Sequence, residues 1–201
     1  TSFFQAPGRM NVYDEHPFKV ILDYAHNPAA IDAMCQLSDR LDVLNKRICV
    51  ISSPGDRRDE DIKALAATAA GHFDHYICKA DDNRRGRGKT EVPDMLKEQF
   101  LKDGVPESAI EIIPDEQEAI NQALEICVEG DLLIIFGDSI TRCWKQVIHF
   151  NSDNQTSKST TDTSSEVTAE SHTEKFELPM GQSLIRDERG VRIARHEEGD
   201  D

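Results

Sequence analysis

The hydrophobic residues of this chain gather into five short runs, at 18–22 (FKVIL), 47–51 (RICVI), 75–78 (HYIC), 110–113 (IEII) and 132–136 (LLIIF). Their length, their β-branched and aromatic content and the breakers that flank them predict strands. Several are apolar throughout, without the in-and-out alternation of a half-solvated sheet, which is the pattern of strands covered on both faces. Between them, 28–41, 59–70, 91–101, 115–128 and 139–148 carry a helical period. In the first of these, Ile31, Met34, Cys35 and Leu41 recur at helical spacing. Asn27 stands where an N-cap belongs, and Pro28 occupies the first helical position, where its missing N–H costs nothing. Strand and helix in strict alternation predict an α/β fold: a doubly wound, mostly parallel, Rossmann-like sheet with helices on both faces.

The pattern stops at Phe150. From 151 to 171 only Val167 and Ala169 are apolar, and so polar a stretch cannot bury enough surface to offset the entropy of ordering it. The expected plan is a lead-in linker over 1–16, the α/β domain over 17–150, a disordered acidic tail over 151–177 and a C-terminal segment over 178–201. In that last segment, LIRDERGVRIA at 184–194 sets apolar residues on either side of Asp187, Glu188, Arg189 and Gly190. A glycine free to take positive φ makes a small hairpin the expectation there, with an exposed tail end as the alternative.

Composition narrows the function. The chain has 201 residues, room for one ordinary domain. Its formal net charge of −15 disfavours binding to a phosphate backbone, so nucleic acid is not an expected partner. No apolar stretch approaches the roughly 20 residues that span a bilayer, so no membrane partner is expected and the location is cytoplasmic. The five cysteines are scattered without a C-x-x-C pair, and three of them lie in apolar runs, as buried reduced thiols do. The seven histidines show no metal-ligand spacing, and no metal site is expected. The chain opens on Thr1, without a signal segment, like a piece of something longer.

In an open α/β sheet, ligands bind beyond the carboxyl ends of the strands. The informative loops are therefore 23–28 (DYAHNP), 52–59 (SSPGDRRD), 79–87 (KADDNRRGR) and 137–140 (GDSI), which share one edge if the sheet is parallel. Gly88-Lys89-Thr90 echoes the end of a phosphate-binding P-loop, but the required first glycine is Asn83 and no strand runs into it. G-x-G-x-x-G is absent, so nothing points to a dinucleotide.

DYAHNP at 23–28 resembles the signature that opens the C-terminal domain of the Mur ligases, and APGRM at 6–10 resembles the P-G-R linker leading into it. Within that family, SPGDRRD at 53–59, DDNRRGR at 81–87 and IRDERGV at 185–191 are similar to the corresponding stretches of the cyanophycin synthetases. The resemblance covers 4–150 and about 178–195. It implies the C-terminal domain of an ATP-dependent amide ligase. In such enzymes a carboxylate is activated by ATP as an acyl phosphate, and an amine then displaces phosphate. For the Mur-like half of cyanophycin synthetase the acceptor is the β-carboxylate of a backbone aspartate and the amine belongs to arginine. The implied partners are ATP, arginine, the cyanophycin chain and a preceding central domain that holds the P-loop and most of the magnesium, in a homo-oligomeric parent enzyme. The isolated chain is then inactive and carries no catalytic residue. A stand-alone nucleotide- or amino-acid-binding or regulatory module is the alternative, and dipeptides in place of arginine remain open.

By the same resemblance, Arg9, Asp23, His26 and Asn27 face ATP. A carboxylate suits the ribose cis-diol because its oxygens accept two hydrogen bonds, and an arginine fork suits ribose or phosphate oxygens. A strand-end aspartate capping a turn, a hinge arginine in a salt bridge and an asparagine acting only as N-cap would look the same. Asp81, Asp82, Arg84 and Arg85, with Gly137, Asp138 and Ser139, fall to the incoming arginine, since paired aspartates and arginines complement its guanidinium and α-carboxylate. The 81–84 stretch resembles the D-N-P-R element of the related tripeptide ligase, with Asp82-Asn83 in place of Asn-Pro. A solvated mixed-charge loop is the plain alternative.

Overall fold

The structure, a computed structural model, describes residues 9–150 and the strand segments 182–187 and 190–195. Eight strands and five α-helices are described: β1 (Asn11–Tyr13), β2 (Lys19–Asp23), α1 (Pro28–Arg40), β3 (Arg47–Ile51), α2 (Asp59–Ala69), β4 (His75–Cys78), α3 (Glu91–Lys102), β5 (Ile110–Ile112), α4 (Glu116–Ile126), β6 (Leu132–Phe136), α5 (Ile140–His149), β7 (Gln182–Asp187) and β8 (Gly190–Arg195). The first six strands form one sheet in the order β1-β2-β6-β3-β4-β5. All neighbours pair in parallel except β1, which runs antiparallel to β2. β7 and β8 form a separate antiparallel ladder, from Gln182 opposite Arg195 to Asp187 opposite Gly190. The expected disordered stretch 151–177 lies outside the described residues, as do the two residues of the turn between β7 and β8.

The apolar runs fold as strands because both of their faces are buried. Ile21, Cys49, Ile51, Tyr76, Cys78, Ile134 and Phe136 pack with residues of α1, α2 and α3 on one side. Val20, Leu22, Ile48, Val50, Ile77, Leu133 and Ile135 pack with α4 and α5 on the other. β6 is the spine. Every one of its side chains is buried, with Ile134 between Ile21 of β2 and Cys49 of β3. The expected doubly wound α/β sheet is what forms.

The helices begin for local reasons. Asn27 is extended and its Oδ1 accepts the Ala30 N–H at 3.0 Å, with Pro28 at the first helical position, so α1 starts as the sequence indicates. Asp115 caps α4 through the Glu118 N–H at 3.0 Å and stands outside the helix that was expected to begin with it. All five cysteines are buried and unbridged.

The sheet starts earlier than the pattern suggests, because β1 falls within the lead-in stretch 1–16. Three residues carry too little alternation to register as a strand, and what holds them comes from far along the chain. Tyr13 is buried against Trp144 of α5, with ring centroids 6.0 Å apart in edge geometry, and against His16 at 4.7 Å. His16 in turn bonds the Val147 carbonyl at 2.8 Å.

The connection from β2 to β3 passes over β6 on the face of α1. The return from β5 to β6 uses α4 on the opposite face. The loops after β2 and β3 therefore leave toward one side and the loop after β6 toward the other, which opens a crevice at the carboxyl edge beside β6. Since β6 carries the core, Ile134→Ala should lower stability by about 2–5 kcal/mol in urea unfolding, the cost of the cavity it leaves.

Candidate functional site

The parallel register brings the loops after β2, β3, β4, β5 and β6 to a single edge, and two hollows lie among them. The first, of about 350 Å³, is lined by Arg9, Met10, Asp23, Tyr24, His26 and Asn27, with α1 behind. Asp23 ends β2, and its Oδ2 accepts the Met10 N–H at 2.9 Å. Met10 has φ of 48°, unusual for a side-chain-bearing residue, so this bond helps hold the lead-in chain in a strained turn beside the carboxylate. His26 Nδ1 lies 2.9 Å from the Tyr24 carbonyl. A carbonyl only accepts, so Nδ1 carries a proton and Nε2 is the ring nitrogen left to face a ligand. Tyr24 is 51 % exposed and meets the His26 ring edgewise at 5.1 Å, forming an aromatic wall open to solvent. Asn27 is occupied as the α1 cap. The first turn of α1 contains no acidic residue, so its positive end is uncompensated there.

The second hollow, of about 300 Å³, is lined by Asp81, Asp82, Arg84, Lys89, Asp115 and Glu116. Its floor is a buried ion cluster. Lys79, fully buried, donates to Asp138 Oδ2 at 2.7 Å and to Ser52 Oγ at 3.1 Å, and pairs with Glu116 Oε1 at 3.1 Å. Glu116 also accepts the Asp138 N–H at 2.7 Å and the Ser139 N–H at 3.4 Å. Arg142, one turn into α5, bridges Glu116 and Asp82, the latter at 2.6 Å. Asp138 Oδ2 takes the Asp82 N–H at 3.2 Å.

The cluster sorts its carboxylates. Burial by itself would push Glu116 up, but the Lys79 ammonium, the Asp138 amide and Arg142 override it and hold the carboxyl at about 2, below its ordinary 4.5. Asp138 moves the other way, because burial raises it, Lys79 only partly offsets that, and Glu116 and Asp81 repel its charge. Lys79 ends above its ordinary value: burial works against the ammonium, and the attraction of Asp138 and Glu116 outweighs it.

The loop after β4 is braced against the loop after β3. A Cβ on Gly55 would lie 2.2 Å from the Arg84 carbonyl oxygen, so only glycine allows this approach. Arg87 donates to the carbonyls of Gly55 at 2.8 Å and Arg57 at 2.7 Å and pairs with Asp59 and Glu91, while Arg85 pairs with Asp56 at 2.5 Å. Arg84 and Lys89, by contrast, form no hydrogen bond or ion pair through their side chains among the described residues. A further hollow of about 220 Å³, around His16, Lys19, Asp42 and Leu44, sits at the opposite edge, away from these loops.

Arg9, Asp23, His26 and Asn27, which the sequence points to together, do line one cleft. Asp81, Asp82 and Arg84 line the other hollow, whereas Arg85 turns to Asp56. Gly137 packs beneath the edge, where an added Cβ would meet Cys143 Sγ and Leu22 Cδ1 at 3.0 Å each. Asp138 and Ser139 are engaged with the ion cluster. Lys79, Glu116 and Arg142 were not singled out by sequence. A lysine closing an apolar strand was the one available signal, and the partners of Glu116 and Arg142 lie too far away in the chain to suggest themselves.

An α/β domain with two polar hollows on carboxyl-edge loops belongs to the class of doubly wound α/β proteins. The chain belongs more particularly to the Mur ligase family, as its glutamate ligase domain, whose family model matches residues 8–139. It is 41% identical over 137 residues to the cyanophycin synthetase of Geminocystis herdmanii (strain PCC 6308), a match that covers 68% of this chain and 15% of that protein. Among solved structures, a UDP-N-acetylmuramoyl-L-alanyl-D-glutamate--2,6-diaminopimelate ligase superposes with a TM-score of 0.52 at 28% identity, covering 66% of this chain and 26% of that one. A bifunctional folylpolyglutamate synthase/dihydrofolate synthase from Yersinia pestis, complexed with AMPPNP and Mn ion, gives 0.54 at 22% identity over 72% of this chain and 31% of its own, a likeness of fold.

The Glu116 value carries a pH prediction. A carboxyl held below its ordinary 4.5 stabilises the fold when ionised, and that stabilisation is lost as pH falls from about 4.5 toward about 2. Asp138 contributes with the opposite sign, so the comparison must isolate Glu116. The stability gap between the unaltered chain and Glu116→Gln in urea unfolding should be widest above about pH 5 and should shrink by about 2–3 kcal/mol toward pH 2. A gap independent of pH would show that Glu116 is not held in this way.

Proposed function

We propose that this chain is the C-terminal domain of an ATP-dependent amide ligase of the cyanophycin synthetase type, one that adds arginine to the β-carboxylate of a polyaspartate backbone. The observation that carries the reading is the pairing of two hollows of different chemistry on one edge, in a chain 41% identical to a cyanophycin synthetase. The proposed location is cytoplasmic, and the proposed partners are the growing polymer and a preceding central domain.

The Asp23 cleft fits a nucleotide. The Asp23 carboxylate offers acceptors to a ribose diol, Tyr24 and His26 give an aromatic wall, and Arg9 with the positive end of α1 favours phosphate oxygens. ATP supplies the phosphoryl group that turns the acceptor carboxylate into an electrophile for the amine. This domain's share is to bind and orient the nucleotide and to close over the reacting groups so that water is excluded. Among the described residues no three His, Cys, Asp or Glu side chains stand close enough to hold a metal ion.

The second hollow fits the incoming amino acid. Arginine brings a guanidinium, an α-carboxylate and an amine. Asp81 and Asp82 suit the guanidinium, and Arg84 and Lys89, with no side-chain partner among the described residues, suit the carboxylate.

The test is ATP- and arginine-dependent polymer synthesis by the complete ligase. Asp23→Ala should raise KM for ATP about 10- to 100-fold, the worth of one or two charge-assisted hydrogen bonds, and leave KM for arginine nearly unchanged. Asp82→Lys should do the reverse. Equal effects on both substrates would merge the two hollows into one site. The isolated chain should fold and show no arginine-dependent ATP hydrolysis, and measurable turnover by it would overturn the assignment.

A further inference from the structure

Lys79 cannot reach a ligand, since none of its side chain is exposed to solvent. It is nevertheless the charge that joins the most loops of the carboxyl edge. An ammonium has three N–H donors, and here each goes to a different loop: Ser52 after β3, Glu116 at the start of α4 after β5, and Asp138 after β6. Lys79 itself opens the loop after β4. Four of the five parallel strands thus have their carboxyl-terminal loops tied to one nitrogen. The fifth loop, after β2, holds the Asp23 cleft and stays outside the cluster.

Two routes run from this nitrogen to Asp82, one to its backbone N–H and one to its carboxylate. In one, Asp138 Oδ2 accepts both Lys79 Nζ, at 2.7 Å, and the Asp82 N–H, at 3.2 Å. In the other, Glu116 holds Arg142, and Arg142 holds Asp82 Oδ2 at 2.6 Å. The ring closes through Lys79 to Glu116. A buried cluster of this kind is a poor device for stability, because desolvating the charges consumes most of what their attraction returns. It is a good device for geometry, because each member has few alternative partners in a dry surrounding.

We propose that Lys79 is a positioning residue for the incoming amino acid, fixing Asp82 at the mouth of the second hollow without touching substrate. This deepens the functional reading above and rests on it for the identity of the amino acid.

In the complete ligase, Lys79→Met should raise KM for arginine roughly 10- to 100-fold, as misplacing a binding group by about an ångström does. KM for ATP should move by less than about twofold, as expected for a site with no shared partner. In this chain by itself, the same substitution should speed amide hydrogen exchange at Asp82, Asp138 and Ser139 and leave Met10, whose N–H is held by Asp23, unchanged. If Lys79→Met does not fold, Glu116→Gln takes its place, since it keeps the shape and removes one charge from the ring. The proposal is overturned if both KM values rise together, if kcat alone falls, or if exchange at Asp82 is unaltered. A parent enzyme that is active with ATP but indifferent to arginine would remove the functional reading, and the exchange pattern would still decide whether Lys79 sets the position of Asp82.

Discussion

The parallel register of β2, β6, β3, β4 and β5 is the constraint from which the site follows. Five strands pointing the same way must deliver five loops to the same edge, and strands buried on both faces leave no freedom to slip, since a one-residue shift would exchange the two core faces. β6 enforces this most strongly, with all of its side chains buried and a partner strand on each side. The reversal of winding beside it sends the chain to opposite faces after β2 and after β6, and the two hollows open at the edge around Asp23 and around Asp81. Core and site are therefore one construction, and damage to the Ile134 layer would be felt at the edge.

The edge is divided electrostatically. Around Asp23 the polar groups are few and leave capacity unused: one ring nitrogen of His26, the Asp23 carboxylate with one backbone donor, and a helix start without acids. Around Lys79 nearly everything is engaged, and the charges are buried. The first arrangement suits a ligand that brings its own dense charge and water. The second suits one whose groups must be matched individually, because an unpaired charge in a dry setting is costly. Glu116 held low and Asp138 held high, beside the same ammonium, show how finely the cluster discriminates: backbone N–H groups and Arg142 favour the first, while neighbouring carboxylates burden the second.

The fold was legible because its strands are apolar on both faces and its first helix is announced by Asn27 and Pro28. β1 was not, since three residues show too little alternation and Tyr13 among them is buried against Trp144, which is distant in sequence. The same distinction holds at the site. Asp23, His26 and Asn27 are local in sequence, and they line one cleft. The ion cluster joins Lys79 to Asp138 across 59 residues and Arg142 to Asp82 across 60. No local pattern marks such pairs, so charges that looked like a solvated loop turn out to be bonded to particular distant partners. Gly137 is fixed in a different way: an added Cβ would meet Cys143 and Leu22, so its place after β6 leaves no space for a side chain.

The overall charge of −15 is an imperfect guide to what this edge attracts. Screening limits a charge to about 8 Å of influence at physiological ionic strength, so an approaching anion meets local groups first. Between 84 and 89 the loop after β4 carries Arg84, Arg85, Arg87 and Lys89. Arg85 and Arg87 are neutralised by Asp56, Asp59 and Glu91, which also brace the loop against its neighbour. Among the described residues Arg84 and Lys89 are left without a side-chain partner, beside a hollow that also holds Asp81, Asp82, Asp115 and Glu116. An acidic body of this kind repels extended polyanions at long range, while at short range the rim offers groups of both signs, because among the described residues the ion pairs are closed at Arg85 and Arg87 and not at Arg84 and Lys89.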